Sequence, residues 1–217
     1  MIDRAAALAA EHTEAVVRAA PDGNTVVLSP SGALVISPWL YKDLGYDPIK
    51  SFTHIAYIGS VPNVFVVNPS VPAKTMQELV AWIKAQTKPV NYGSGGVGSI
   101  GHIVGEMAKA AMKIQMTHVP YRGGGPLMND AVAGHVPVAI SSIFLAKPHI
   151  DSQRLRPLAV TTSQRSANLP GVPTVAESGF AGFDAPAWWA VLAPAKTPAD
   201  IVKRMNELML SMSLAGN

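Results

Sequence analysis

The residues best placed to do chemistry lie in one run, Asn91-Tyr92-Gly93-Ser94-Gly95-Gly96-Val97-Gly98-Ser99-Ile100-Gly101-His102. A short apolar stretch, Pro89 to Tyr92, precedes it, and a helix-period stripe follows. Glycines admit positive φ and let a backbone approach a ligand closely. Free N–H groups at a helix start, with the dipole behind them, favour an anion. Gly95, Gly96 and Gly98 would offer amides, and Ser94 and Ser99 neutral hydroxyls. That chemistry is capture of a carboxylate by hydrogen bonds, without a buried counter-charge. His102 lies at the presumed helix start, where a lone histidine is more often a structural hydrogen-bonder than a base.

Other readings of this run stay open. Gly93, Gly95 and Gly98 match G-x-G-x-x-G literally, which raises dinucleotide binding. The acid expected after the next strand is missing, and Pro120-Tyr121-Arg122 stands there instead. A purely structural glycine turn is the plainer alternative.

A second segment, Val119-Pro120-Tyr121-Arg122-Gly123-Gly124-Gly125-Pro126, also leaves a strand and enters a short helix, with Leu127, Ala131 and Val132 as its apolar face. Tyr121, Gly123 and Gly124 are candidates for close contact with a ligand, against the plainer reading of a surface loop. A third, weaker segment is Ser29-Pro30-Ser31-Gly32-Ala33, where Ser29, Ser31 and Gly32 could contribute donors; Ser-Pro-Ser-Gly is also ordinary turn chemistry. Catalytic motifs are absent. Ser99 is followed by Gly101 but preceded by Val97, so the nucleophile-elbow pattern fails. There is no P-loop and no H-E-x-x-H. Asp130 and Glu106 read as helix-surface or capping groups. No cofactor and no metal site is expected.

These loops need strands and helices to hold them. Thr25–Ser29, His54–Gly59, Asn63–Asn68, Pro89–Tyr92, Met116–Val119, Val136–Ser141, Leu155–Thr161 and Trp188–Ala193 read as strands. Thr75-Met76-Gln77-Glu78 fits a capping box ahead of Leu79, Val80 and Ile83. Ile100, Ile103, Val104, Met107, Ala110 and Ala111 form a second helical stripe. Thr197-Pro198-Ala199-Asp200 begins a third, with Ile201, Met205, Leu208, Met209 and Met212. Alternating strands and helices predict an α/β fold with mixed, mainly parallel sheets and helices on both faces. Composition breaks near Thr87-Lys88-Pro89 and Phe183-Asp184-Ala185-Pro186 predict two lobes. The first would hold residues 1–88 plus 187–217, the second residues 89–186, with a ligand in the cleft between them.

Composition narrows the classes. Of 217 residues, 48% are hydrophobic and 14% charged, enough for a substantial core. The net charge of +3 comes from scattered Lys and Arg, which argues against a nucleic-acid partner. With no cysteine, disulfides, thiolate metal sites and a Cys nucleophile are excluded. No run of about 18 apolar residues marks a transmembrane helix, and no signal peptide is read at Met1-Ile2-Asp3-Arg4.

Seven ordered segments resemble the Bug, or TctC-type, extracytoplasmic solute receptors of tripartite tricarboxylate transporters. They are Ala19–Thr25, Tyr46–Phe52, Gly93–His102, His118–Gly123, Arg156–Thr161, Leu169–Glu177 and Leu192–Pro198, covering nearly everything from about residue 13 onward. The resemblance implies a periplasmic, two-lobed binding protein that closes on a small carboxylate and hands it to membrane transporter subunits. It implies ligand contacts from Ser94–Ser99 and Tyr121–Gly125 in the second lobe and from Ser29–Gly32 in the first. Ser141, which stands where many members carry an Asp, is counted among the ligand-facing residues, with no charge relay through it. Residues 1 to about 12 match nothing in the family pattern. The usual first strand with its loop, and the closing region, are missing, so an incomplete first lobe is expected. Its exposed strand edges predict a homodimer or strand exchange.

The alternative function is a hydrolase acting on a small ester or lactone in a repurposed cleft, with Ser94, Ser99 and His102 as its candidate residues. A degenerate interaction module without a ligand is the third.

Overall fold

The computed structural model describes residues 12–215. The chain forms two compact units: Val61–Pro186, and the segments on either side of it up to Ser60 and from Ala187. The second crossing falls where the composition break predicts it, at Pro186/Ala187. The first does not. It lies at Ser60/Val61 and not near residue 88, because β3 (Asn63–Val67) pairs with β6 (Val138–Ser142) on one side and β7 (Arg156–Val160) on the other. Residues 61–88 therefore belong with the glycine loops.

The Val61–Pro186 unit is built on a five-stranded sheet whose order is β5 (Met116–Pro120), β4 (Val90–Ser94), β6, β3 and β7. β4 runs parallel to β5 and to β6, and β3 alone runs against its neighbours. Every residue of β3 is buried, as its unbroken apolar run requires of a strand covered on both faces. Phe65 and Val67 face the side packed by α2 (Met76–Lys84) and α3 (Ile100–Met112). Val64 and Val66 face the other side, packed by α4 (Gly124–Ala133) and α5 (Ile143–Asp151). The two-residue strand period thus feeds two cores and two helical layers.

Local chemistry sets the helix ends. Thr75 Oγ1 accepts the Glu78 N–H at 3.1 Å, and the Glu78 carboxylate accepts the Lys74 N–H at 2.6 Å, so the expected capping box forms one residue wide of its usual reach. Helix α3 ends on Lys113 in the left-handed region, and α4 ends on Gly134 at φ 82°. Helix α5 was not expected. Its cap, Ser142, reads as the end of a strand, and Pro148 inside it reads as a breaker.

The other unit carries a three-stranded sheet of order β1-β8-β2, from β1 (Val27–Pro30), β8 (Ala187–Pro194) and β2 (Phe52–Val61). β1 and β8 are antiparallel. Its core gathers Val16, Leu34, Tyr46, Phe52 and Leu192, with the Tyr46 hydroxyl donating to the Ala33 carbonyl at 2.6 Å. Residues after β1 form a π-helical turn, Gly32–Ile36, and a short α1 (Ser37–Leu40), where a plain turn was expected. Helix α6 (Ala199–Ala215) packs through Val202, Met205 and Met209 against Ile55, Val191 and Ala193. Leu208 is exposed and so leaves the expected stripe, and the Met212 side chain lies outside the described residues.

Candidate ligand-binding site

The two glycine loops meet. Both leave the C-terminal ends of adjacent parallel strands, β4 and β5, which is where open α/β sheets hold ligands. A methyl group placed on Gly95 would lie 3.7 Å from the Gly123 carbonyl carbon and 3.8 Å from the Gly124 nitrogen. Ser141, at the end of β6, completes the cluster, because a methyl on Gly124 would lie 3.5 Å from its hydroxyl. In the Val61–Pro186 unit the fold therefore brings together Ser94, Gly95, Gly96, Gly98, Ser99, His102, Tyr121, Gly123, Gly124 and Ser141.

The first loop binds itself. Ser94 is completely buried; its hydroxyl accepts the Gly96 N–H and donates to the Gly96 carbonyl, both at 3.1 Å. Ser99 donates to the same carbonyl at 2.7 Å and caps α3 by accepting the His102 N–H at 3.3 Å. The Gly98 N–H reaches His102 Nδ1 at 3.2 Å. Ser94 and Ser99 thus brace the loop, and the expectation that the Ser94 hydroxyl faces a ligand gives way to its burial. With the Gly96 and Gly98 amides engaged inside the loop, the G-x-G-x-x-G spacing has two fewer amides to offer a pyrophosphate.

A residue that motif reading passed over supports this loop. His118 shares a 2.7 Å hydrogen bond with Ser94 Oγ, and its ring stacks on His102 (centroids 4.2 Å) and on Tyr92 (5.0 Å). Its signal was strand alternation, with Met116 buried, Thr117 exposed and His118 turned inward again. The histidine on Ser94 is thus His118 and not His102, the one that the hydrolase alternative names, and Ser94 is fully buried. Tyr92 donates to Glu106 at 2.9 Å, which also pairs with Lys109. Burial pushes the Glu106 carboxyl up, yet the Lys109 and Tyr92 hydrogen bonds outweigh it and hold the group below its ordinary value.

The second loop is open. Gly123 stands at the N-cap of helix α4, its φ of 100° suits glycine, and no side chain caps the helix. The amides of Gly124 and Gly125 have no hydrogen-bond partner among the described residues, as first-turn amides lack one within their own helix. Pro126 follows, at a place where a missing N–H costs nothing. Ser141 is buried as a residue, at 6% exposure, and its hydroxyl too has no hydrogen-bond partner among the described residues. Tyr121 does not join this set through its hydroxyl, which donates to Asp130 at 2.9 Å. Burial, and then that hydrogen bond, push the Tyr121 hydroxyl up to about 12.

In the other unit, Ser29 is fully buried and its hydroxyl lies 3.2 Å from Thr13 Oγ1. Ser31 is buried and accepts the Trp188 N–H at 3.4 Å, and Gly32 is buried at the start of the π-helical turn. All three serve that unit's own packing. Among the described residues there is no group of three metal-ligating side chains, and no helix is long and apolar enough to cross a membrane.

The receptor pattern of the tripartite tricarboxylate transporter family matches residues 2–217. The chain belongs to that receptor family. Its first dozen residues, where no resemblance was expected, fall almost wholly within the match. BugT of Bordetella pertussis is 33% identical over 195 residues, covering 89% of this chain and 60% of that protein. A relative from Agrobacterium vitis is 34% identical over 194 residues, which is 56% of its length. The chain thus spans little more than half the length of such relatives. Among solved structures, Rpa4515 of Rhodopseudomonas palustris with adipate superposes with a TM-score of 0.88 at 32% identity, covering 92% of this chain and 67% of that one. MatC from the same organism, with bound malate, gives 0.85 at 29%, covering 94% and 69%. The periplasmic binding protein BugD gives 0.86 at 30%, covering 95% and 68%. The two-lobed periplasmic-binding-protein fold of this receptor family is therefore the fold of this chain.

Proposed function

We propose that this chain is a receptor for a small carboxylate, which it holds on the Gly124 and Gly125 amides beside the Ser141 hydroxyl. The observation that carries this is the contrast between the loops: the Gly96 and Gly98 amides of the first are bonded within their loop, and the Gly124 and Gly125 amides and the neighbouring Ser141 hydroxyl have no partner among the described residues. Three neutral donors at the positive end of a helix dipole suit one carboxylate. Rpa4515 and MatC, which carry adipate and malate, support the ligand class. Delivery to a tripartite tricarboxylate-type transporter in the periplasm follows the family and the periplasmic relative BugD.

Thermal unfolding across a panel of small carboxylates tests the reading. A ligand at about 100 times its Kd stabilises the native state by about 2.7 kcal/mol. Gly124→Val fills the seat and should abolish the shift, and Gly95→Val should do so by pushing the first loop off Gly123. No shift with any carboxylate, or unchanged affinities in both variants by calorimetry, would refute the proposal.

A further inference from the structure

The carboxylate seat has one neighbour of opposite character. Leu145, in the first turn of α5, lies against Gly124: a methyl on that glycine would collide with Leu145 Cδ1 and sit 3.6 Å from its Cγ. Leu145 is nevertheless 46% exposed, and Phe144 beside it is 62% exposed. The start of α5 offers an anion little, because the Ile143 N–H is bonded to the Pro62 carbonyl at 3.1 Å and the Phe144 N–H to the Ser142 hydroxyl at 3.3 Å. What α5 presents beside Gly124 is hydrocarbon. Ser141 and Leu145 are four residues apart, one ending β6 and the other in the first turn of α5, so a polar contact and an apolar contact flank the same glycine.

We infer that Leu145, with Phe144, is the specificity wall of this receptor and selects carboxylates whose body is a hydrocarbon chain or ring over short hydroxylated ones. The inference rests on the reading of Gly124, Gly125 and Ser141 as the carboxylate seat. A carboxylate held there carries its first methylenes past Leu145, and their burial strengthens binding by about fourfold per methylene at full contact. A hydroxyl in the same place would lose its water against a side chain that cannot hydrogen-bond.

Calorimetry on the 217-residue protein with propanoate, butanoate, pentanoate, hexanoate, adipate and malate tests this. The expected result is affinity rising with chain length, tens of times from propanoate to hexanoate, with adipate bound more tightly than malate. Leu145→Ser with Phe144→Ser should flatten that rise to less than about fivefold, and Leu145→Met should keep it, with melting curves confirming that the variants fold. A rise that survives the double serine variant, or malate bound more tightly than hexanoate and adipate, would overturn the inference and leave the seat standing. Failure of the wild-type protein to bind any of the six would overturn the seat, and the wall with it.

Discussion

Ser94 Oγ and His118 Nε2 lie 2.7 Å apart, joining the end of one parallel strand to the middle of the next. Through this bond, β5 holds the loop that follows β4. Leaving buried partners unsatisfied costs about 1–3 kcal/mol. Ser94→Ala should therefore lower stability in urea unfolding by about that amount, with His118→Ala close behind. The double variant should lose less than the sum, because the two share an interaction. Additive losses would separate the pair.

Ser141 should behave in the opposite way. Its hydroxyl has no protein partner among the described residues, so Ser141→Ala should leave the unfolding midpoint nearly unchanged. A hydrogen bond to a charged group contributes about 1.5–3 kcal/mol, so carboxylate affinity should drop about tenfold to a hundredfold by calorimetry. Equal affinities in wild type and Ser141→Ala would remove Ser141 from the seat.

The Tyr121–Asp130 hydrogen bond should register on both arms of the stability–pH profile. Burial, then the bond to Asp130, raise the tyrosine from 10.0 to about 12, so its contribution is whole below pH 10 and is lost as pH climbs toward 12. The Tyr121 hydroxyl, then the His135 ring, hold the Asp130 carboxyl below its ordinary 3.8, so that contribution is present above pH 3.8 and is lost as pH falls further. Tyr121→Phe should flatten both arms. Superimposable wild-type and variant profiles from chemical unfolding would show the bond to be without consequence.

Self-association is expected from the three-stranded sheet. β1 and β2 each pair only with β8 among the described residues, and Leu28, Tyr57 and Ile58 on them are exposed. Unpaired apolar edges are templates for another strand. Light scattering should find dimers at tens of micromolar, and Leu28→Lys with Ile58→Lys should return monomers. A wild-type protein that stays monomeric would refute this.

Much of this molecule was legible from residue order. The eight strands among the described residues fall where apolar runs and turn residues place them, since the strand period and glycine or proline punctuation are local properties. The Thr75 cap, the α3 stripe and both glycine loops were readable for the same reason. Helix α5 was not, because Pro148 and a cap abutting a strand hide its period, and with it went Leu145.

By itself, then, the sequence determined the elements, their α/β alternation and the two loops able to approach an anion. Only the tertiary structure decided which loop stays open. Ser94 and Ser99 look like ligand donors in a linear reading, and they became braces because β5 sets His118 beside Ser94 from 24 residues away. Gly124 is the proposed seat because β6 brings Ser141 to it, and residues 61–88 joined that unit because β3 inserts between β6 and β7. Those outcomes depend on which polar groups long-range pairing satisfies and which it leaves open, and that is a property of neighbours in space.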